Sequence, residues 1–195
     1  MRCASPVPWG WRSSARRGSL AELAIVSLGS NIEPERHLPR AVAALRRLGA
    51  EAVSNVYQNP ARGGRPQADF LNAAVLLNTR LDPAALRAAL RELEADLGRV
   101  RTDDKYAPRN IDLDLLLLGD RSVVLEDLIL PDPELLTTPH LAIPAAEVAP
   151  AAVHPQSGET LQAIAERLRP EADLQLRQDV TARALNALRE VGLSP

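Results

Sequence analysis

The chain has 195 residues, 46% of them apolar, which is enough for one well-cored domain with short extensions and forces no second domain. A formal charge of −2 and an isoelectric point near 6.0 exclude the concentrated basic stripe of a nucleic-acid binder, and aromatic residues, at 3%, are too few for an RNA-stacking sheet face. Cys3 is the only cysteine, so no disulfide framework or cysteine-based metal site can form within the chain and a reducing cytoplasm fits; no apolar run nears the roughly 20 residues that span a bilayer, so no membrane partner is expected.

Residues 1–22 contain Pro, Gly, Ser and arginines, lack the apolar stretch of a secretion signal, and read as a disordered extension. Leu23–Leu28 is a short apolar run closed by Gly29-Ser30-Asn31, the pattern of a buried strand entering a turn. From Pro34 onward Leu38, Val42, Leu45 and Leu48 recur at helical spacing, with Pro34 and Glu35 suited to the first turn and Gly49 to the stop. Val53–Tyr57 and Phe70–Thr79 read as strands on either side of the Pro, Gly and Arg-rich loop Asn59–Asp69. Asp82-Pro83 supplies an N-cap and a first-turn proline to a second helix with the stripe Leu86, Leu90, Leu93 and Leu97, closed by Gly98. The charged loop Arg99–Arg109 then leads into a strand over Ile111–Leu118.

This β-α-β-β-α-β order predicts an α+β fold of the ferredoxin-like kind, with two helices on one face of an antiparallel sheet. Pro131–Pro150 is proline-broken and is expected to cover the sheet, while Thr160–Leu168 and Thr181–Val191 are amphipathic and predict additional C-terminal helices. The domain is expected to span residues 23–168, with 169–195 as a helical extension.

The chemistry concentrates between Arg99 and Leu118. Side chains alternate along a strand, so Ile111, Leu113, Leu115 and Leu117 are expected on one face and Asp112, Asp114, Leu116 and Leu118 on the other. Two residues apart, the aspartates are about 6.5 to 7 Å from each other, close enough to converge on a pair of metal ions spaced about 3.5 to 4 Å. Hard oxygen ligands select magnesium. Arg99, Arg101, Lys105 and Arg109 lie just before them, and guanidinium groups match phosphate oxygens bidentately, so metal and polyphosphate could share one site. The same aspartates also suit plain pairing with these arginines, and Arg99 and Arg101 suit the negative end of the second helix.

The segments RVR at 99–101 and PRNIDLDLLLLG at 108–119, with GSN at 29–31 and DFLNAAV at 69–75, resemble the 6-hydroxymethyl-7,8-dihydropterin pyrophosphokinase family of folate biosynthesis, over about Ala24 to Leu168. The resemblance implies transfer of a diphosphate from ATP to the hydroxymethyl group of a reduced pterin. It implies that Asp112 and Asp114 hold two magnesium ions bridging the ATP phosphates, that Arg99 and Arg109 contact the nucleotide or the transferred group, and that Glu94 lies near the nucleotide. Asn72 matches the residue that hydrogen-bonds the pterin, and Phe70 one wall of its aromatic sandwich. The loops Asn59–Asp69 and Arg99–Arg109 are candidate lids.

Residues 131–140 depart from the family pattern. Asp132 stands for its histidine, Thr138 for an arginine, and His140 for the second aromatic wall, so two phosphate donors are missing and the loop Asn59-Pro60-Ala61-Arg62 also differs. Either Arg62 or Arg65 compensates, or the chain is a non-catalytic ATP- or pterin-binding relative.

Overall fold

The structure is a computed structural model and describes residues 21–61, 67–100, 104 and 107–190. Strand β1 (Glu22–Ser30) is followed by α1 (Pro34–Leu45), β2 (Ala50–Val53), β3 (Tyr57–Asn59) and β4 (Phe70–Thr79). Helix α2 (Pro83–Asp96) leads to β5 (Asp112–Leu118), a hairpin of β6 (Val123–Leu125) and β7 (Leu128–Leu130), and α3 (Pro139–Val148). The described chain ends in α4 (Leu161–Leu168), β8 (Gln175–Leu176) and α5 (Gln178–Arg189). The main sheet has the order β5-β1-β4-β3-β8, with β2 also on β4, and all its pairings are antiparallel. This is the expected ferredoxin-like α+β arrangement.

Local signals set several boundaries. The Asp82 carboxylate accepts from Ala85 N at 2.8 Å and caps α2. Gly49 has a φ of +91°, and a Cβ there would lie 2.2 Å from the Asn78 carbonyl oxygen, so only glycine can make this turn against β4. The sheet has two apolar faces. Leu38, Val42, Leu86, Leu90, Val180 and Ala184 of α1, α2 and α5 pack against one; Ile143 and Ala145 of α3 with Leu161 and Ile164 of α4 pack against the other. Among the described residues no helix is long and apolar enough to cross a membrane.

Two expectations need correction. The strand expected over Val53–Tyr57 is interrupted: β2 ends at Val53 and β3 starts at Tyr57. Between them Ser54 Oγ accepts from Ala74 N at 2.9 Å, and Val56 N donates to Thr181 Oγ1 at 2.8 Å, so hydroxyl groups from the chain itself and from α5 replace ladder partners. The alternation along β5 also fails near its end. A register shift between Ile25 and Val26 opposes Leu117 and Leu115 to these neighbours, leaving Leu116 as the extra residue. Leu116 and Leu117 therefore both join the α3 side, and Leu118 returns to the α1–α2 side. The proline-broken segment contains the ten-residue helix α3, with Pro139 in its first turn, where no N–H donor is needed, and Pro144 inside it. It covers the sheet as expected. The β6–β7 hairpin was not foreseen.

Candidate active site

The site is built on the α3 side of the sheet, where the strand register brings together residues far apart in sequence. Asp112 of β5 is opposite Gly29 of β1, which is opposite Asn72 of β4; Asp114 is likewise opposite Ser27, which is opposite Ala74. A Cβ on Gly29 would lie 3.1 Å from Asn72 Oδ1 and 4.0 Å from Asp112 Cβ, so the missing side chain lets the floor between carboxylate and carboxamide stay open. Asn31, just beyond, donates from Nδ2 to Gln67 Oε1 at 3.1 Å and to Ala68 O at 3.3 Å, while its Oδ1 accepts from Arg109 N at 2.8 Å. One side chain thereby ties the ends of both charged loops to the strand.

The cleft above this floor has a volume of about 470 Å³. Asn59, Phe70, Asn72 and His140 line it in part; so do Arg109, Asp112, Asp114, Asp132 and Glu134. Asn72 Nδ2 donates to Asn59 Oδ1, which fixes the orientation of the carboxamide. The Arg109 guanidinium lies 5.8 Å above the Phe70 ring centre and pairs with Asp112, so it touches both the aromatic and the acidic parts of the cleft. A smaller recess of about 320 Å³ adjoins through the shared residues Asp114, Asp132 and Glu134, and Arg87, Asp127 and Ile129 are among its other walls.

The edge position of β5 explains how the aspartates are held. An edge strand leaves backbone groups unpaired, and here side chains of α2 and the loop after it satisfy them. Glu94 Oε1 accepts from Leu113 N at 2.8 Å, Arg87 Nη1 donates to Leu113 O at 3.1 Å, and Arg99 Nη1 donates to Ile111 O at 2.8 Å. The same guanidiniums reach the carboxylates: Arg99 Nη1 is 2.6 Å from Asp112 Oδ1, and Arg87 Nη1 is 3.3 Å from Asp114 Oδ1. Glu94, 1% exposed, braces the strand from behind and does not line the cleft. Burial raises its pKa, against which the Leu113 N–H and Arg99 act.

Charge in the cleft is predominantly negative. Burial, followed by repulsion from Asp112, lifts the Asp114 carboxyl to about pKa 6, with Arg87 acting the other way. Asp132 is also raised by burial, although its Oδ1 accepts from Glu134 N at 2.7 Å and caps a short 3-10 turn over Pro133–Leu136. Among the described residues no group of three or more His, Cys, Asp or Glu side chains is assembled as a metal centre. Two carboxylates of like charge beside an open cleft nevertheless suit magnesium, which commonly takes one or two protein carboxylates and completes its shell with waters and substrate phosphates.

Of the sequence candidates, Asp112, Asp114, Arg109, Phe70, Asn72 and His140 all line the cleft, and Arg99 holds Asp112 from its edge. Thr138 is 3% exposed before α3 and does not line it. Arg101, Lys105, Arg62 and Arg65 lie outside the described residues. Arg87 was missed, because beside the α2 stripe it reads as one more solvated helix arginine; only the wrapping of α2 around the β5 edge brings it to Asp114.

The profile of the 7,8-dihydro-6-hydroxymethylpterin-pyrophosphokinase (HPPK) family matches residues 25–150. A 2-amino-4-hydroxy-6-hydroxymethyldihydropteridine pyrophosphokinase of Synechocystis sp. is 37% identical over 149 residues, covering 74% of this chain and 75% of the relative. The protein of the same name from Bacillus subtilis is 37% identical over 130 residues, covering 65% and 77%. In fold, the chain is similar to the crystal structure of wild-type Plasmodium falciparum HPPK-DHPS, with a TM-score of 0.57 and 11% identity over 82% of this chain; it spans about half, 47%, of that longer chain. The family pattern expected from the segments around Arg99 and Asp112 thus extends through the whole core that builds the cleft, and the chain belongs to the HPPK family of pyrophosphokinase enzymes.

Proposed function

We propose that this protein transfers the terminal diphosphate of ATP to the 6-hydroxymethyl group of a 7,8-dihydropterin, in the cytoplasm and in service of folate or a related pterin cofactor. The observation that carries this reading is one cleft in which Asp112 and Asp114 share a wall with Phe70 and Asn72. The names borne by the relatives support the same chemistry.

In this reading the flat pterin sits between the Phe70 and His140 rings, and the Asn72 carboxamide, steadied by Asn59, hydrogen-bonds its polar edge. The nucleotide occupies the smaller recess, with its phosphates directed at the shared residue Asp114. Asp112 and Asp114 would hold two magnesium ions, which would supply neutralisation of the phosphate charge and of the charge developing in the transfer. Arg109 spans from the Phe70 ring to Asp112 and orients the hydroxymethyl group against the phosphate chain, while Arg99 fixes Asp112. The hydroxymethyl oxygen forms a bond to the β-phosphorus, the bond from that phosphorus to the α–β bridging oxygen breaks, and AMP leaves as the hydroxyl proton is released. Positioning and charge complementarity account for most of the acceleration in such a transfer.

The direct test is to incubate the protein with magnesium, ATP and 6-hydroxymethyl-7,8-dihydropterin and to separate the products. AMP together with the pterin diphosphate is expected. ADP as the sole nucleotide product would overturn the diphosphate reading in favour of single-phosphoryl transfer. Tight binding of both substrates without turnover would instead support the non-catalytic relative that the changes at Asp132 and Thr138 bring to mind.

A further inference from the structure

The wall formed by residues 131–141 brings no cation to the nucleotide recess. Asp132 accepts from the Glu134 N–H, and Thr138 is buried away from both cavities. Among the described residues the recess is lined by five carboxylates, those of Asp114, Glu126, Asp127, Asp132 and Glu134, and by the guanidinium of Arg87, while Arg91 pairs with Asp127 from outside the lining. A polyphosphate entering here meets like charge on most sides. Arg87, the one cation among the described lining residues, therefore has a large share of the work of holding it.

Arg87 is suited to that work by how it is held. Its side chain is 13% exposed, with Nη1 on both Leu113 O and Asp114 Oδ1. Its buried Nε has no acceptor among the described residues. A guanidinium carries five N–H donors in a rigid fork, and the two contacts use one nitrogen, so donors remain in a group already fixed at the recess wall. We propose that Arg87 is a phosphate-binding arginine, reaching the nucleotide's phosphates from α2 in place of the donor that Thr138 does not provide. In the resting protein it serves as the counter-charge of Asp114. Were Asp114 to hold a cation, Nη1 would be left free for the phosphates.

The inference rests on the nucleotide reading above, and calorimetric titration of the full chain separates the two. The probes are a non-hydrolysable ATP analogue with magnesium, and adenosine, which shares the base and sugar and lacks phosphates. Arg87→Met keeps the length and packing of the stem but removes the donors; it should weaken analogue binding on the order of tenfold to a hundredfold and leave adenosine within about twofold. Arg87→Lys keeps the charge without the fork and should fall between, and it carries the test should Arg87→Met not fold. Unchanged analogue affinity in a folded Arg87→Met variant overturns the assignment, as does an equal loss for analogue and adenosine, which would make Arg87 a structural brace of β5. If the natural protein itself does not bind the magnesium analogue, the nucleotide reading falls rather than the role of Arg87 within it.

Discussion

The two walls of the cleft are made in different ways. On the β5 wall the candidate groups sit on a strand paired with β1 at six positions, in unbroken register from Asp112 to Leu115, and each carboxylate is clasped by an arginine anchored to nearby edge carbonyls. On the opposite wall the corresponding groups come from a 3-10 turn and the first turn of α3, where Asp132 caps the turn and Thr138 points into the protein. Ladder pairing makes the first wall intolerant of change, because any displacement disturbs several hydrogen bonds at once. The second wall is a connection, where substitution costs less. The departures at Asp132, Thr138 and His140 fall on that second wall, with a further one in the loop Asn59–Arg62, and the role proposed for Arg87 would place the compensating charge beside the β5 wall.

The strongest way to break this contrast is at the carboxylates themselves. Asp112→Asn and Asp114→Asn keep shape but lose the charge that offsets a divalent ion, and each should lower turnover on the order of a thousandfold or more in a protein that still folds by circular dichroism. Near-normal turnover in either variant would make the β5 wall merely structural. At the pterin end, Asn72→Ala removes a pre-oriented hydrogen-bonding group and should raise the KM for the dihydropterin about tenfold with kcat little changed, a split read directly from steady-state kinetics.

A smaller effect tests the electrostatics without any substrate. Asp114 is raised to about pKa 6 from the ordinary 3.8, so the folded state holds its proton more tightly than the unfolded state does. Stability from this group is therefore complete below about pH 4 and is lost as the pH rises through about 6. Asn cannot ionise. In the absence of divalent cations Asp114→Asn should match the natural protein near pH 4 and exceed it at about pH 7.5, by about 1 kcal/mol once solvent screening of a side chain 45% exposed is allowed for. Thermal melts at the two pH values measure the difference, and an equal gap at both would contradict the assigned cause. The smallest change belongs to the tolerant wall: His140→Ala loses one stacking face and should weaken dihydropterin binding only about two- to tenfold. A loss as large as that from Asp114→Asn would erase the distinction between the walls.

Much of this architecture was legible in the chain before folding. Leucine spacing and the Asp82-Pro83 cap announced α2, and the period of two placed Asp112 and Asp114 on one face, because helix and strand geometry are local properties of the backbone. Local reasoning ran out where a partner from elsewhere intervened. Ser54 and Thr181 interrupt the strand expected at Val53–Tyr57, and the register shift beside Val26 turns Leu117 to the other face. Pro144 lies inside a helix because the sheet gives Ile143 and Ala145 a surface to bury against, which outweighs one lost hydrogen bond.

What the sequence by itself determined was the β-α-β-β-α-β order of the core and the two carboxylates with their flanking arginines, since these follow from periodicity, capping residues and a contiguous motif. Only the tertiary structure decided which cations serve those carboxylates, that Glu94 braces the strand instead of lining the cleft, and that Asn31 joins both loops. The physical reason is that each needs assembled strands: the arginines and Glu94 serve the open edge of β5, which exists only once the sheet has formed, and Asn31 reaches Gln67, Ala68 and Arg109 only because β1 lies between β4 and β5.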